Sequence, residues 1–424
     1  MRIVTQRLQH WYRKLSDLNW VFADQALVSG VNFLTGILLA RFLGIDDFGR
    51  FTLIWMVVLF VNAIQYAQTV SPMMSIGPKL SGAEASQFYG ATLVQSLALL
   101  MVFLLVIYIG CTVCESFFPQ GQIEKLMTPL LLVVTAFQCQ DLIRRLFFTQ
   151  GKVVLAFIND LISYIGQIIV LSVLYAGQLL QTETALLAIA GTSALAVLVG
   201  TFFLPELSFN KASMKPSLIR NWHFSKWLTA SAMMQWIGGN FFVAVSGAYL
   251  SVSAAGAIAA ARNVVGPTLV LFMALENIVP VKASKEFQTG HLQALKRYLV
   301  QVSVWGGGAS LLVCLVAALF APFWMEWLFG ADYVQYAYLV YWFSITHFLM
   351  FFIRPLNSYL RTIELTQPIA TASIIPMVFS LVASIPLVQY FGLTGAMIVM
   401  LTTQVLILGF LTYSAFGHGK RVLA

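Results

Sequence analysis

One acidic residue lies inside the first long apolar stretch of the chain. This residue is Asp24, in the segment NWVFADQALVSGVNFLTGILLARFLG that begins at Asn19. A carboxylate inside a membrane is costly, so it usually faces the interior of a helix bundle or a water-filled cavity. Because such carboxylates commonly take part in function, Asp24 is the first candidate functional residue.

Four further polar residues are expected at a depth similar to that of Asp24. Arg144 and Arg145 stand near the end of the fourth apolar stretch, and Asn159 and Asp160 stand near the start of the fifth. From the helical rise per residue, Asp24 and the arginines lie about 8 Å inside the cytoplasmic face, and Asp160 lies about 12 Å inside it. The five residues are therefore expected to form one polar layer. The alternatives are a purely structural ion-pair network, or arginines whose long side chains extend to the lipid headgroups.

The composition indicates which kind of protein must position these residues. Of the 424 residues, 59% are hydrophobic and 9% are charged, whereas charged residues make up roughly 25% of a typical soluble domain. We therefore expect an all-α integral membrane protein surrounded by membrane lipids. The net charge of +8 would suggest nucleic acid in a soluble chain. Here Lys and Arg cluster in the connections between apolar stretches, as the positive-inside rule expects, so no nucleic-acid partner is predicted.

Apolar windows long enough to cross a bilayer predict about 12 transmembrane helices. Lys and Arg are concentrated before the first helix, in the even-numbered connections and in the C-terminal tail, whereas Asp and Glu dominate the odd-numbered connections. Both termini are therefore predicted to be cytoplasmic. We expect an N-terminal six-helix bundle at 1–205, a cytoplasmic linker at 206–226 and a C-terminal six-helix bundle at 227–424.

The connections are short and lack the usual catalytic and cofactor motifs. The phosphate-binding pattern GxxxxGK[ST] and the zinc-protease pattern HExxH do not occur in the sequence, and the one C-x-x-C pair, CTVC at 111–114, has no second pair of cysteines or histidines to complete a zinc site. We therefore predict no enzyme activity, no catalytic residues, no metal site and no cofactor.

The two halves of the sequence form a weak repeat. RFLGIDDFGRFTLIW at 41–55 aligns with AYLSVSAAGAIAAAR at 248–262, and TVSPMMSIGPKLSG at 69–82 aligns with NIVPVKASKEFQTG at 277–290. The matched positions are Leu43 and Leu250, Gly49 and Gly256, Pro72 and Pro280, and Gly82 and Gly290. Because six helices separate equivalent positions, we expect pseudo-symmetric parallel repeats about an axis along the membrane normal, with substrate bound between them.

Two segments of the chain resemble a known family of exporters. They are LLARFLGIDDFGRFTLIW at 38–55 and the basic end of the fourth helix, DLIRRLFFTQGK at 141–152. Together with a proline-containing second helix and twelve helices in two halves, they resemble the polysaccharide transporter branch (Wzx-type O-antigen flippases) of the multidrug/oligosaccharidyl-lipid/polysaccharide (MOP) exporter superfamily. The resemblance implies a multi-pass protein of the bacterial inner membrane that moves undecaprenyl-diphosphate-linked oligosaccharide. It also implies coupling to H⁺ or Na⁺, and polysaccharide polymerase machinery as a further partner.

The resemblance also implies roles for individual residues. Distantly similar drug exporters place a cation-coupling acid on the first helix with partners on the fifth, which assigns cation coupling to Asp24, Asn159 and Asp160. A diphosphate substrate needs cations, for which the candidates are Arg144, Arg145, Arg262 and Arg354. Glu276 is a candidate gating residue. It stands fourteen residues after Arg262, about 21 Å along a helix, so the two cannot pair directly.

Other interpretations of these residues stay open. Arg262 could extend to the membrane surface, and Glu276 could pair with a lysine such as Lys282 at the inner face. A cation-coupled exporter of small molecules on the same fold is the first alternative function. A membrane enzyme of polysaccharide assembly is the second, which the short outward loops disfavour.

Overall fold

The computed structural model describes the backbone of residues 2–117, 123–209, 211–363, 365 and 367–419, and most of the side chains from Trp20 onward. Within these ranges the chain is almost entirely helical, which confirms the predicted all-α fold. The α-helices are α1 (Arg2–Gln65), α2 (Ser71–Ile76), α3 (Gly82–Phe117), α4 (Ile123–Thr149), α5 (Val153–Asp160), α6 (Gly166–Ala176), α7 (Thr182–Thr201), α8 (Lys211–Tyr249), α9 (Val252–Val264), α10 (Pro267–Leu319), α11 (Ala321–Phe329), α12 (Tyr338–Thr362), α13 (Gln367–Ala372) and α14 (Ile374–Gly419).

Eight helical stretches of the described chain are long and apolar enough to cross a membrane. Two of them, Ala23–Lys79 and Gln367–Ala415, have 57 and 49 residues, whereas one crossing needs about 20. Each is interrupted at a glycine with positive φ, Gly44 at 77° and Gly392 at 58°. Glycine adopts positive φ without steric cost, so each stretch has the length and the break for two crossings. The total of twelve crossings and the cytoplasmic location of both termini stay predictions.

Contacts within the chain divide it into two units. The first contains residues 1–35 and 54–232, and the second contains residues 36–53 and 233–424. Residues 36–53 therefore have their contacts with the C-terminal helices, although they join two helical segments of the first unit. The predicted bundle boundaries at 1–205, 206–226 and 227–424 stay predictions.

Residues 36–53 are held in the second unit by close backbone packing and hydrogen bonds. A Cβ atom at Gly256 would lie 2.6 Å from the Ile45 carbonyl oxygen and 3.0 Å from the Gly49 nitrogen. The Ser253 hydroxyl donates to Asp46 Oδ1, and the Tyr333 hydroxyl donates to the Ala40 carbonyl (3.1 Å). Gly49 and Gly256, which the sequence repeat pairs, therefore contact each other and need to be small.

In the first unit, α4 is packed on two sides by apolar side chains. Leu142 and Leu146 belong to a buried cluster with Val70, Met73, Ile76, Phe88 and Tyr89. Ile143 and Phe147 pack with Ala156 of α5. These contacts fix the rotation of α4 about its axis and thereby direct Arg144 towards α1 and α5.

Candidate functional site

Arg144 joins two buried aspartates from different helices. Its Nη2 donates to Asp24 Oδ2 on α1 (2.7 Å), and its Nε donates to Asp160 Oδ2 at the end of α5. The three residues are 6%, 1% and 0% exposed for Arg144, Asp24 and Asp160. We call these three residues the acid–arginine cluster. Because a buried charge is costly unless it is paired, the two contacts of Arg144 hold three helices together.

Amide side chains fix the orientation of Asp160. Gln140 Nε2 donates to Asp160 Oδ1 (2.9 Å) and to Asn159 Oδ1 (3.0 Å). Asn159 Nδ2 in turn donates to the Ala196 carbonyl of α7 (2.7 Å). Asn159 is thus linked to the cluster through Gln140, and both Asp160 oxygens have donors.

Asp24 differs from Asp160 in having one oxygen without a donor. Asp24 Oδ1 is buried and has no hydrogen-bond partner within the described part of the chain. A buried acceptor without a donor costs roughly 1–3 kcal/mol, and more when it is charged. This oxygen is therefore a place where a proton or a cation would be stabilised.

A second set of polar contacts adjoins the cluster on α4. Arg145 Nε donates to Asp141 Oδ1 (3.3 Å), and Arg144 Nη1 lies 3.8 Å from the same oxygen. Asn62 Nδ2 donates to Asp141 Oδ2 (3.4 Å) and to Gln138 Oε1 (3.2 Å). The Arg145 guanidinium lies 5.2 Å from the centre of the Tyr66 ring.

The charges of this region do not cancel. The ion pairs connect three carboxylates, Asp24, Asp141 and Asp160, with two guanidiniums, Arg144 and Arg145. With all five groups ionised, one negative charge is in excess. In a poorly hydrated interior this excess favours the binding of one proton or one monovalent cation.

Two π-helical turns border this region. Leu161–Ile165 begins directly after Asp160, and Tyr66–Val70 contains the ring that contacts Arg145. π-Helical turns inside longer helices are rare and are found frequently at functional sites. In this chain one turn directly follows Asp160, and the other carries the aromatic partner of Arg145.

The second unit has a polar centre of a different kind. Arg262, in the last turn of α9, lies 6.0 Å from the centre of the Phe343 ring, and no carboxylate among the described residues pairs with it. Nearby on α12, His347 Nδ1 shares a hydrogen bond of 2.6 Å with the Thr268 hydroxyl. Arg354 lies 5.7 Å from the centre of the Phe272 ring. The Glu276 side chain lies outside the described residues.

The structure brings together the five residues that were expected to form a polar layer in the N-terminal half. The structure brings Asp24, Asp160 and Arg144 into direct contact, and it links Asn159 and Arg145 to them through one intermediate residue each. Arg262 and Arg354 lie in the second unit. Sequence reasoning missed Gln140 and Asp141 on α4, and Thr268 and His347 in the second unit. The signal for the first two was the polar spacing on α4: Gln140 stands four residues before Arg144, and Asp141 stands four residues before Arg145.

Comparison with solved structures identifies the fold. An inward-facing MATE-family multidrug resistance transporter of the MOP superfamily aligns with a TM-score of 0.68 and 13% identity, over 93% of this chain and 96% of that one. The lipid II flippase MurJ in an inward closed conformation aligns with a TM-score of 0.67 and 13% identity, over 94% of this chain and 87% of that one. The chain has the fold of the MOP superfamily transporters.

Further comparisons agree with the MOP fold. The Vibrio cholerae MATE transporter VcmN aligns with a TM-score of 0.63 and 14% identity, over 97% of this chain and 98% of that one. The sequence itself matches no family model and no curated protein. The similarity to these transporters is therefore one of fold, and it extends over nearly the whole chain.

Proposed function

We propose that this protein is a flippase for undecaprenyl-diphosphate-linked oligosaccharide. It would carry an O-antigen, capsule or exopolysaccharide repeat unit from the cytoplasmic to the outer leaflet of the bacterial inner membrane, by alternating access and coupled to H⁺ or Na⁺. The MOP fold supports transport, and the segments at 38–55 and 141–152 support the polysaccharide branch. Polysaccharide polymerase machinery would then use the flipped lipid.

The acid–arginine cluster supports the cation coupling. Its single most informative feature is Asp24 Oδ1, a buried carboxylate oxygen with no described donor, in a region with one excess negative charge. A proton on Asp24 or a Na⁺ beside it would neutralise that excess. In this proposal the cation binds at Asp24. Asp160 and Asn159 accept hydrogen bonds from Gln140 and maintain the geometry of the site.

The double contact of Arg144 suggests how the binding of cation and the binding of substrate could be coupled. Arg144 neutralises Asp24 only while its Nη2 group stays at Asp24 Oδ2. A diphosphate that drew the Arg144 or Arg145 guanidinium towards itself would leave more negative charge on the aspartates. Those aspartates would then bind H⁺ or Na⁺, and release of the cation would return the arginine. Such an exchange makes the two occupancies linked, as coupled transport requires.

Arg262 supports an anionic substrate. A guanidinium in the protein interior without a described carboxylate partner lacks the compensation that buried charges need. A diphosphate would supply it, because its oxygens match the planar donors of arginine. Arg354 and Glu276 keep their proposed roles in substrate binding and gating.

A cation-coupled exporter of small molecules is the second candidate, favoured by the MATE transporters among the structural neighbours. Deletion of the gene followed by lipid analysis separates the two functions. The flippase proposal predicts oligosaccharide accumulating on undecaprenyl diphosphate in the cytoplasmic leaflet, with restoration by the wild-type gene. Normal lipid pools together with altered drug sensitivity would support the exporter and reject the flippase.

A further inference from the structure

His347 of α12 is a buried residue that can bind and release a proton. It is 6% exposed, and the centres of the Phe272 and Phe343 rings lie 6.1 Å and 6.3 Å from the centre of its imidazole. Histidine is the side chain whose charge changes most readily near neutral pH, so a buried histidine is a candidate proton carrier. Its hydrogen bonds determine which of the two ring nitrogens is free for a further proton.

The contacts of Thr268 fix the position of the imidazole proton. The Thr268 hydroxyl oxygen lies 2.6 Å from the Val265 carbonyl oxygen and 2.6 Å from His347 Nδ1. Two oxygens this close need a hydrogen between them, and only the hydroxyl can supply it, so Thr268 donates to Val265. Nδ1 must then donate to the Thr268 oxygen. In neutral His347 the unprotonated nitrogen is therefore Nε2, which has no hydrogen-bond partner within the described chain.

A positive charge and an unpartnered hydroxyl lie near this imidazole. The Arg262 guanidinium of α9 lies 6.0 Å from the centre of the Phe343 ring, which the imidazole also contacts. Ser344 stands three residues before His347, on the same side of α12. Its Oγ is buried and has no partner among the described residues. An arginine, a hydroxyl and a free ring nitrogen are thus grouped around one aromatic side chain.

Two more charged residues belong to the helices that pack around His347. The Arg354 guanidinium lies 5.7 Å from the centre of the Phe272 ring and has a further partner of its own. Glu276 stands eight residues after Thr268, about 12 Å along α10. The helix α14, which also packs against α12, contains no Asp, Glu, Lys or Arg. Within the described chain, the charge that acts on His347 is that of Arg262.

A proton on Nε2 would place a second positive charge beside Arg262. Like charges repel strongly in a poorly hydrated interior, so the imidazole is expected to stay neutral while no anion is bound. An anion at Arg262 reverses this balance, because it attracts the proton and can accept a charged hydrogen bond from Nε2–H. The proton and the anion therefore strengthen each other's binding.

We propose that His347 takes up one proton when the anionic substrate binds at Arg262. The proton comes from solvent and binds to the lone pair of Nε2, while Nδ1–H stays on Thr268. The imidazolium and the Ser344 hydroxyl then donate to a phosphate oxygen of the ligand, and the proton returns to solvent when the ligand leaves. Binding of the anion at Arg262 rests on the proposed function, whereas the linked proton uptake is a separate property of His347.

Calorimetric titration of the purified full-length protein in detergent measures this proton uptake. The ligand is a short prenyl diphosphate esterified to one sugar, because the phosphates of such a diester have no second ionisable hydroxyl of their own. Titrations in buffers of different ionisation enthalpy give the number of protons bound with each ligand. His347→Asn keeps a donor for Thr268 but cannot be protonated. We expect the wild type to take up about one proton more per ligand than this variant.

The affinity of the wild type for the ligand should also depend on pH. It is expected to rise by up to about tenfold for each unit by which the pH falls, and His347→Asn should lose this part of the pH dependence. If His347→Asn does not fold, His347→Gln removes the titrating group in the same way. Nitrogen NMR of labelled histidine should show a protonated Nδ1 and an unprotonated Nε2 in the free protein, and both protonated in the complex.

Two control variants separate His347 from other proton-binding residues. His223 is exposed on α8, so His223→Asn should keep the proton uptake of the wild type. The acid–arginine cluster could also take up a proton when the substrate binds. Asp24→Asn removes that contribution and should leave the part that His347→Asn abolishes, so the two losses should add in the double variant.

Equal proton uptake by the wild type and His347→Asn, with the ligand bound by both, would overturn the proposal and leave the flippase function standing. A protonated Nε2 in the ligand-free protein would overturn it as well. If the wild type does not bind the diester at all, both this proposal and the anionic substrate of the proposed function are wrong.

Discussion

The two units differ in how their interior charged side chains are paired. In the first unit, Arg144 contacts two buried aspartates and Arg145 contacts a third, so that the acids outnumber the arginines by one. In the second unit, Arg262 lies against an aromatic ring, and none of the described acids is buried. A region with excess buried acid attracts cations, whereas an interior arginine without an acid attracts anions. We therefore infer that the first unit binds the coupling cation and that the second contributes the main contacts to an anionic substrate.

The largest effect is expected where an arginine neutralises buried carboxylates. Arg144→Gln would leave Asp24 and Asp160 buried without their cation and should lower the free energy of unfolding by about 3–5 kcal/mol. Arg262→Gln removes no described ion pair and should change stability by less than about 1 kcal/mol. Thermal unfolding of the detergent-solubilised proteins measures both. Equal destabilisation by the two substitutions would contradict the difference between the units, and the triple variant that also carries Asp24→Asn and Asp160→Asn should recover part of the loss.

A smaller difference is expected for hydrogen bonds to charged and neutral groups. Gln140→Leu removes a donor from the buried Asp160 carboxylate and should cost about 2–3 kcal/mol. Thr268→Val removes the hydroxyl that contacts His347 and should cost about 1–2 kcal/mol. Chemical denaturation in mixed micelles compares them. A larger cost for Thr268→Val would contradict this expectation. It would show that the neutral hydrogen bond between Thr268 and His347 contributes more to stability than the hydrogen bond to the Asp160 carboxylate.

Steric substitution tests the packing of residues 36–53 onto the second unit. A Cβ at Gly49 would overlap the Val252 carbonyl, whereas a Cβ at Gly30 in the first unit meets no atom within 4 Å. Gly49→Ala should therefore destabilise the protein by about 1–3 kcal/mol. Gly30→Ala, inside a helix, should be neutral or stabilise it by up to about 1 kcal/mol. Thermal unfolding of both variants tests this difference. An unchanged unfolding midpoint for Gly49→Ala would mean that the backbone can move apart at this contact without loss of stability.

The smallest effect is expected at an exposed ion pair. Arg50 contacts Asp47 at 2.9 Å, but their side chains are 50% and 35% exposed. Arg50→Gln should change stability by no more than about 0.5 kcal/mol, because exposed pairs are weakened by solvent. A loss of stability comparable to that of Arg144→Gln in the same unfolding assay would contradict this expectation. It would show that solvent exposure does not distinguish ion pairs that stabilise this protein from those that contribute little.

The sequence was sufficient for the fold and for part of the site. The apolar stretches predicted the helices, and helical rise placed Asp24, Asp160 and the two arginines at similar depth. Depth along a helix, however, does not give the direction in which a side chain points. That Arg144 faces both aspartates, while Arg145 turns towards Asp141, follows from the packing of Leu142, Ile143 and their neighbours on α4, which only the folded structure contains.

The grouping of residues 36–53 with the second unit shows a second limit of prediction from the sequence. Chain order assigned this segment to the N-terminal half, but its contacts are with Ser253, Gly256 and Tyr333 of the second unit. The sequence repeat paired Gly49 with Gly256 as matched positions. It could not indicate that the two glycines touch, because a repeat in the sequence does not give the distance between its matched positions.

The most direct test of the central claim is flipping of a lipid-linked diphosphate oligosaccharide in reconstituted vesicles, with and without an imposed H⁺ or Na⁺ gradient. Asp24→Asn keeps the shape of the side chain and removes the charge that we propose the cation neutralises. The exposed Asp332→Asn serves as the control. We expect the wild type and the control to be accelerated by the gradient, and the folded, inserted Asp24→Asn protein to show no acceleration. If Asp24→Asn stays fully gradient-dependent, Asp24 is only a structural partner of Arg144, and the assignment of cation coupling to the first unit is wrong.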